Sequence, residues 1–173
     1  TIIVPFAAGG PTDVLTRVIA ERMARELAQP MIVENTPGAG GTVGNARAAR
    51  AKPDGYTVLA GNVGTLAASN SFYRKLPYDM HKDFVGIASI GDAPQIVSAR
   101  KDFPPTGLEA LHDYVKPQES KVTFGAAGVG SGSYLGGVLL NNALGLNVEA
   151  INYRGAGQAL TDVIAGHVDY MVD

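Results

Sequence analysis

Two rhythms of apolar and polar positions take turns along this chain. Short β-branched runs at 2–4, 31–34 and 56–60 read as strands, and the segments between them carry helical spacing. From Thr12 to about Gln29 the residues Val14, Leu15, Val18, Ile19, Met23 and Leu27 share one predicted helix face. A second, alanine-rich helix is predicted over 42–50, and KPDGY at 52–56 reads as a turn. The order βαβαβ implies a parallel sheet with right-handed crossovers.

An irregular stretch follows, and then 83–90 and 95–99 predict strands. The alternation resumes with a helix over 106–115, where Thr106 and Glu109 have capping-box spacing. A strand at 121–126, a helix at 133–144 closed by Gly145, and a strand at 148–153 come next. A helix at 157–165 closed by Gly166 and a strand at 168–172 complete the pattern. The chain therefore reads as two α/β blocks, roughly 1–91 and 95–173, without an internal sequence repeat and without a low-complexity linker. Two lobes joined by short strand-like crossings are expected.

Composition narrows the function classes. A chain of 173 residues fits one domain or two small lobes and buries roughly 70% of its unfolded surface. Hydrophobic residues make up 46% and charged residues 17%, a globular balance. A formal net charge of -2 argues against nucleic acid or an anionic membrane as partner, since either would call for a basic excess. There is no cysteine, which excludes disulfides, thiolate metal sites and cysteine nucleophiles. YLGGVLL at 134–140 falls far short of the ~18 apolar residues of a membrane span. The sequence opens at Thr1 directly in a strand-like run, so an exported protein would have shed its signal peptide before this point.

Chemistry concentrates in five loops that follow a predicted strand and precede a helix: FAAGGPTD (6–13), NTPGAGGT (35–42), GNVGT (61–65), GAAGVGSGS (125–133) and NYRGAGQ (152–158). They sit at the carboxyl ends of strands, the edge where open α/β sheets bind ligands. The adjoining helix N-termini offer unpaired N–H groups and partial positive charge, which suits an anion. Glycine also serves ordinary tight turns, and that structural reading stands beside the functional one. Asp13 and Arg154 carry the only charges in these loops. A carboxylate ligand would therefore be held by backbone N–H groups and the hydroxyls of Thr12, Thr65, Ser131 and Ser133. Hydrogen bonds to a charged group contribute about 1.5–3 kcal/mol each. Three or four, less the cost of association, reach micromolar binding at about -8 kcal/mol. Asp13 fits the first turn of a helix as a dipole-stabilising or water-holding acid better than as a general base. Phe6 fits either the roof of a ligand site or a plug between sheet and helix.

Other chemistries find weak support. There is no GxxxxGK[ST], and GAAGVGSG lacks GxGxxG spacing, with Glu149 placed inside a strand. Ser131 and Ser133 lack GxSxG surroundings. His81, His112 and His167 are scattered without metal-ligand spacing. Neither a cofactor nor a metal is expected. The alternative kept open is an α/β enzyme that binds a phosphorylated cofactor at its glycine-rich strand–helix loops.

IIVPFAAGGPTDVLTRVIAERM at 2–23, VENTPGAGGTVGNARAARAKPDGYTVLAG at 33–61, FYRKLPYDMHKDFVGIASI at 72–90, GVGSGSYL at 128–135 and INYRGAGQALTDVIAGHVD at 151–169 together resemble, in order, the Bug (TctC-like) family. That family comprises extracytoplasmic receptors of tripartite tricarboxylate transporters. The resemblance implies a two-lobed, Venus-flytrap α/β protein of periplasmic-binding-protein type, with lobe one over 1–94 and lobe two over 95–173. It implies a receptor rather than an enzyme, located in the periplasm and working with membrane transporter subunits. The implied ligand is a small carboxylate: a dicarboxylate, an amino acid or an aromatic acid. Carried over by motif, Phe6, Ala7, Ala8, Gly9, Gly10, Thr12 and Asp13 would grip it from lobe one. Gly64 and Thr65 would sit nearby, with Ser131, Ser133, Tyr153 and Gly155 facing them from lobe two. Asn152 stands where the family often has proline, and Tyr134-Leu135-Gly136-Gly137 where it often has histidine. Family members run on past the point where this chain stops and return to complete lobe one, a return expected to be absent here.

Overall fold

Ile2–Val4 (β1) is apolar at every position because it is buried on both faces, as the central strand of a parallel sheet must be. In the computed structural model, which describes residues 1–92 and 94–173, β1 lies between Val33–Asn35 (β2) and Val58–Leu59 (β3). Both pairings are parallel, with Ile2 opposite Val33 and Val58. Pro11–Leu27 (α1) and Thr42–Ala49 (α2) are the crossovers. A second sheet has the order β4-β7-β5-β6, formed by Val97–Ala99 (β4), Thr123–Ala126 (β5), Glu149–Asn152 (β6) and Tyr170–Val172 (β7). The last three run parallel, and β4 pairs antiparallel with β7 at the edge. Leu108–Val115 (α4), Gly132–Ala143 (α5) and Ala156–Ala165 (α6) flank this sheet. The molecule is α/β, and Ala93, within the expected first lobe, lies outside the described residues.

Two apolar clusters organise it. Phe124, Tyr170, Leu111 and Val115 centre one face of the second sheet, with Phe124 and Tyr170 stacked at 5.9 Å. The other cluster joins both sheets: Val4 and Phe6 from the first pack with Ala156, Ala159, Val163 and Met171 of the second. The carboxyl ends of the two sheets are thereby held facing each other. Glycine permits that approach. A Cβ on Gly128 (φ +102°) would stand 2.9 Å from Gly40 N, so two of the glycine-rich loops touch backbone to backbone.

Several sequence expectations need correction. Helix α1 buries Asp13, Thr16 and Ala20, while Val14 (52% exposed), Leu15, Val18 and Leu27 face outward. The helix is rotated from its apolar face because Asp13 is tied to the loop beneath it, and those bonds outweigh the burial of one valine or leucine. Residues 83–90 form no strand, and Val85 and Ile87 are exposed, because alternation supplies propensity without a neighbouring strand to pair with. Helix α4 begins at Leu108 with Gly107 as N-cap, so Thr106 and Glu109 make no capping box. In the stretch taken as irregular, a π-turn at Gly64–Ala68 runs into Ser69–Phe72 (α3). Asn62 starts it, accepting hydrogen bonds from Gly64 N and Thr65 N. Gly145 (φ +63°) and Gly166 (φ +81°) close their helices as expected.

Gly44 lets α2 lie against the turn after β1. A Cβ there would stand 2.7 Å from Pro5 Cα. Alanine is the better helix former by about 1 kcal/mol, but here the clash is with backbone and overpacking wins. Gly44→Ala is expected to lower unfolding stability by about 1–3 kcal/mol in urea denaturation; an unchanged or higher midpoint would show that α2 shifts freely.

Candidate functional site

A cleft of about 570 Å³ opens where the carboxyl ends of the two sheets meet. Phe6, Gly10, Thr12 and Asp13 line it from the first sheet, and Ser131 and Ser133 from the second. Three helices begin at its wall. Helix α1 starts after Gly10, α5 after Ser131, and α6 after Gly155. A Cβ on Gly10 would lie 3.7 Å from Ala156 N, so the first turns of α1 and α6 face each other. Neither α1 nor α6 has a side-chain cap. Their first-turn N–H groups are left for solvent or a ligand, and each terminus carries roughly half a positive charge. None of the described cleft-lining residues is Lys, Arg or His. The positive potential on offer here comes from helix dipoles and N–H groups rather than from charged side chains.

The loop of 6–13 is held by a buried carboxylate. Asp13, 2% exposed, accepts from Gly9 N at 2.9 Å, Arg17 Nε at 3.0 Å and Asn35 Nδ2 at 2.8 Å. Asn35 also donates to the Phe6 carbonyl at 3.0 Å and accepts from Arg17 at 2.8 Å. Burial alone would raise the Asp13 pKa, but the Arg17, Gly9 and Asn35 donors outweigh it and hold it below the usual carboxylate value. With its lone pairs so occupied, Asp13 shapes the loop and is a poor partner for an anion. Phe6 is 5% exposed in the shared core, as expected of a plug between sheet and helix, and it also lines the cleft.

The two serines act as a pair. Ser133 Oγ accepts from Ala127 N at 3.0 Å, Ser131 Oγ accepts from Tyr134 N at 3.2 Å, and the hydroxyls are 3.2 Å apart. One of the two hydroxyls donates to the other. Both side chains are nearly fully buried, so their positions are fixed.

The remaining expected residues play other parts. Ala7 N donates to Arg154 O at 3.1 Å, a direct tie between the sheets, and Gly155 packs against Ala7. Ala8 and Gly9 are exposed on the outer side of the loop. Gly64 abuts the 130–132 backbone, where a Cβ would be 2.5 Å from Gly130 O. Thr65 is fully buried, its hydroxyl exchanging hydrogen bonds with the Asn62 backbone. Tyr153 donates to Asp162 at 2.6 Å; burial and that carboxylate push its pKa up to about 12, so it stays a donor committed to α6. Sequence reasoning missed Asn62, Gln95, Leu139 and Asp173, all of which line the cleft. Asn62 lay within the GNVGT loop and was legible as a turn former. Gln95 and Asp173 meet only because β4 pairs with β7. Among the described residues no group of three His, Cys, Asp or Glu side chains is placed to hold a metal ion.

Comparison with known proteins agrees with this fold. A model of the family described as "Tripartite tricarboxylate transporter family receptor" matches residues 15–173. A UPF0065 protein from the TAR-I ttuE-ttuC' intergenic region of Agrobacterium vitis is 42% identical over 173 residues, covering 100% of this chain and 50% of that protein. The solved structure of MatC from Rhodopseudomonas palustris with bound malate superposes with a TM-score of 0.95 at 41% identity, covering 99% of this chain and 58% of that one. The periplasmic binding protein BugD gives 0.90 at 38% identity, covering 99% and 57%. The chain spans about half the length of the curated relatives it matches.

Because the folded pKa of Asp13 is depressed, its contribution to stability is fully present above the unfolded value near 3.9 and is lost as pH falls through the folded value. Asp13→Asn is expected to be less stable than the parent at neutral pH. The two should converge as pH drops below about 4, read from urea midpoints across that range. A constant gap at all pH values would mean that the Asp13 charge contributes nothing.

Proposed function

The chain belongs to the tripartite tricarboxylate transporter receptor family, and on that footing we propose that it captures a small organic carboxylate between two lobes and delivers it to the membrane subunits of a tripartite transporter. The observation that carries this reading is the convergence of the uncapped N-termini of α1 and α6, with the Ser131–Ser133 pair beside them, on a cleft without basic side chains. A carboxylate is the anion such a site suits. It accepts several hydrogen bonds at once and needs no metal or arginine clamp when oriented N–H groups supply the field.

The lobes are assigned to 1–94 and 95–173, each built on one of the two sheets. Gly10, Thr12, Ser131 and Ser133 are assigned to the ligand carboxylate, and Phe6 to the wall against its carbon chain. Ala7, Ala8, Gly9, Asp13, Gly64, Thr65, Tyr153 and Gly155 are assigned to shaping the loops that present those groups. No bond is made or broken, so no residue has a catalytic role. A periplasmic location follows from the family and from the description of BugD as a periplasmic binding protein. The malate bound by MatC makes four-carbon acids the first ligands to try.

A thermal-shift screen of the chain against small carboxylates, with nucleotides as controls, tests this. A ligand at 100 times its dissociation constant adds about 2.7 kcal/mol to unfolding stability. A rise in Tm with acids and none with nucleotides is expected. A nucleotide shift with a flat carboxylate panel would replace the receptor with a phosphate-binding α/β enzyme.

A further inference from the structure

The loop that delivers Ser131 and Ser133 to the cleft has little shape of its own. Gly128 (φ +102°) and Gly130 (φ +82°) both lie in the left-handed region, and glycine has more conformational freedom to lose on ordering than any other residue. Inside the loop, Ser131 N donates to Gly128 O at 3.0 Å. Further restraint comes from a distant part of the chain. Tyr73 Oη donates to the Val129 carbonyl at 2.8 Å, across 56 positions. Gly40 lies against the same carbonyl, so that a Cβ there would stand 1.9 Å from Val129 O and 3.1 Å from Tyr73 Oη. The rings of Phe72 and Tyr73 cover Gly130, where a Cβ would stand 3.3 Å from Phe72 and 3.4 Å from Tyr73. Phe72 also meets Tyr134 edge to face at 5.7 Å. The pair 72–73 thus holds the chain on both sides of the two serines.

Tyr73 is itself fixed. It ends α3, its N–H donating to Ser69 O at 3.1 Å. The turn that leads into α3 is anchored at the Thr65 carbonyl, which accepts from the buried Asn45 at 2.7 Å and from Ser69 Oγ at 3.1 Å. Burial raises the Tyr73 pKa above its ordinary value, so its hydroxyl keeps the proton it donates. A hydrogen bond elsewhere on the surface would add a little stability and nothing more. This one lands two residues before Ser131, the N-cap of α5. It therefore bears on where the first turn of α5 and both serine hydroxyls stand. Groups that are already in place bind a ligand without the cost of ordering a loop around it.

Resting on the carboxylate-receptor reading above, we propose that Tyr73, with Phe72 beside it, is a positioning residue for the ligand: it preorganises the 128–130 loop so that Ser131 and Ser133 meet a carboxylate without first being ordered. Tyr73→Phe removes the hydroxyl and keeps the ring over Gly130. Amide hydrogen exchange of the ligand-free chain reads the loop directly. The N–H groups of Ala127, Ser131 and Tyr134 bond Ser133 Oγ, Gly128 O and Ser131 Oγ in turn. They are expected to exchange about two- to tenfold faster in the variant, the worth of one hydrogen bond, with the amides of β1 and α6 unchanged. Isothermal titration with malate, succinate and butanoate is expected to show the tightest of the three weakened by a similar factor. Should Tyr73→Phe fail to unfold cooperatively, Phe72→Leu takes its place; it thins the cover on Gly130, leaves the hydroxyl, and is expected to move the same amides in the same direction. Unchanged exchange at the three amides, or an equal rise along the whole chain, overturns the positioning role. Faster exchange with unchanged affinity overturns it as well and leaves the carboxylate receptor standing. Failure of the parent chain to bind any of the three acids removes the receptor reading and, with it, the ligand role of Tyr73.

Discussion

The tie between Ala7 N–H and the Arg154 carbonyl, with Val4 and Phe6 packed among Ala156, Ala159 and Val163 beneath it, holds two separate sheets end to end. Everything else about the site follows from that join. A parallel sheet gathers the N-termini of its helices at the carboxyl edge of its strands. When two such edges face each other, the partial charges of α1, α5 and α6 add in one place. The apolar cluster supplies the free energy that opposes their mutual repulsion, at about 25 cal/mol per Å² of apolar surface removed from water. Loops with Cβ atoms at Gly40, Gly64 or Gly128 would hold the edges apart.

A cleft without basic side chains needs rigid dipoles to hold an anion, because N–H groups that must reorient around a ligand lose much of their advantage. The buried Asp13 supplies that rigidity on one side. One carboxylate collects donors from the loop at Gly9, from its own helix at Arg17 and, 22 positions away, from β2 at Asn35, so loop, helix and strand are held in register. Ser131 and Ser133 do the same on the other side with uncharged groups. The charged residue thus lies behind the binding surface and the neutral groups lie on it.

Much of this was legible in one dimension. Short β-branched runs and helical spacing located most strands and helices, and the strand–glycine–helix order implied parallel sheets with glycine-rich loops at their carboxyl ends. Those features are local, set by backbone sterics and by the few residues on either side, so the sequence by itself determined them. Phe6, Gly10, Thr12, Ser131 and Ser133 were visible for that reason. The tertiary structure alone decided the rest. Apolar spacing placed Val14, Leu15 and Val18 on one helix face, yet α1 turns Asp13 and Thr16 inward because donors from Asn35 and Gly9 lie there. Alternation at 83–90 signalled a strand, yet a strand exists only where another backbone pairs with it. Gln95 and Asp173, 78 positions apart, meet because β4 lies antiparallel to β7. Pairing and burial depend on contacts between residues remote in sequence, and the periodicity of a single segment carries no record of them.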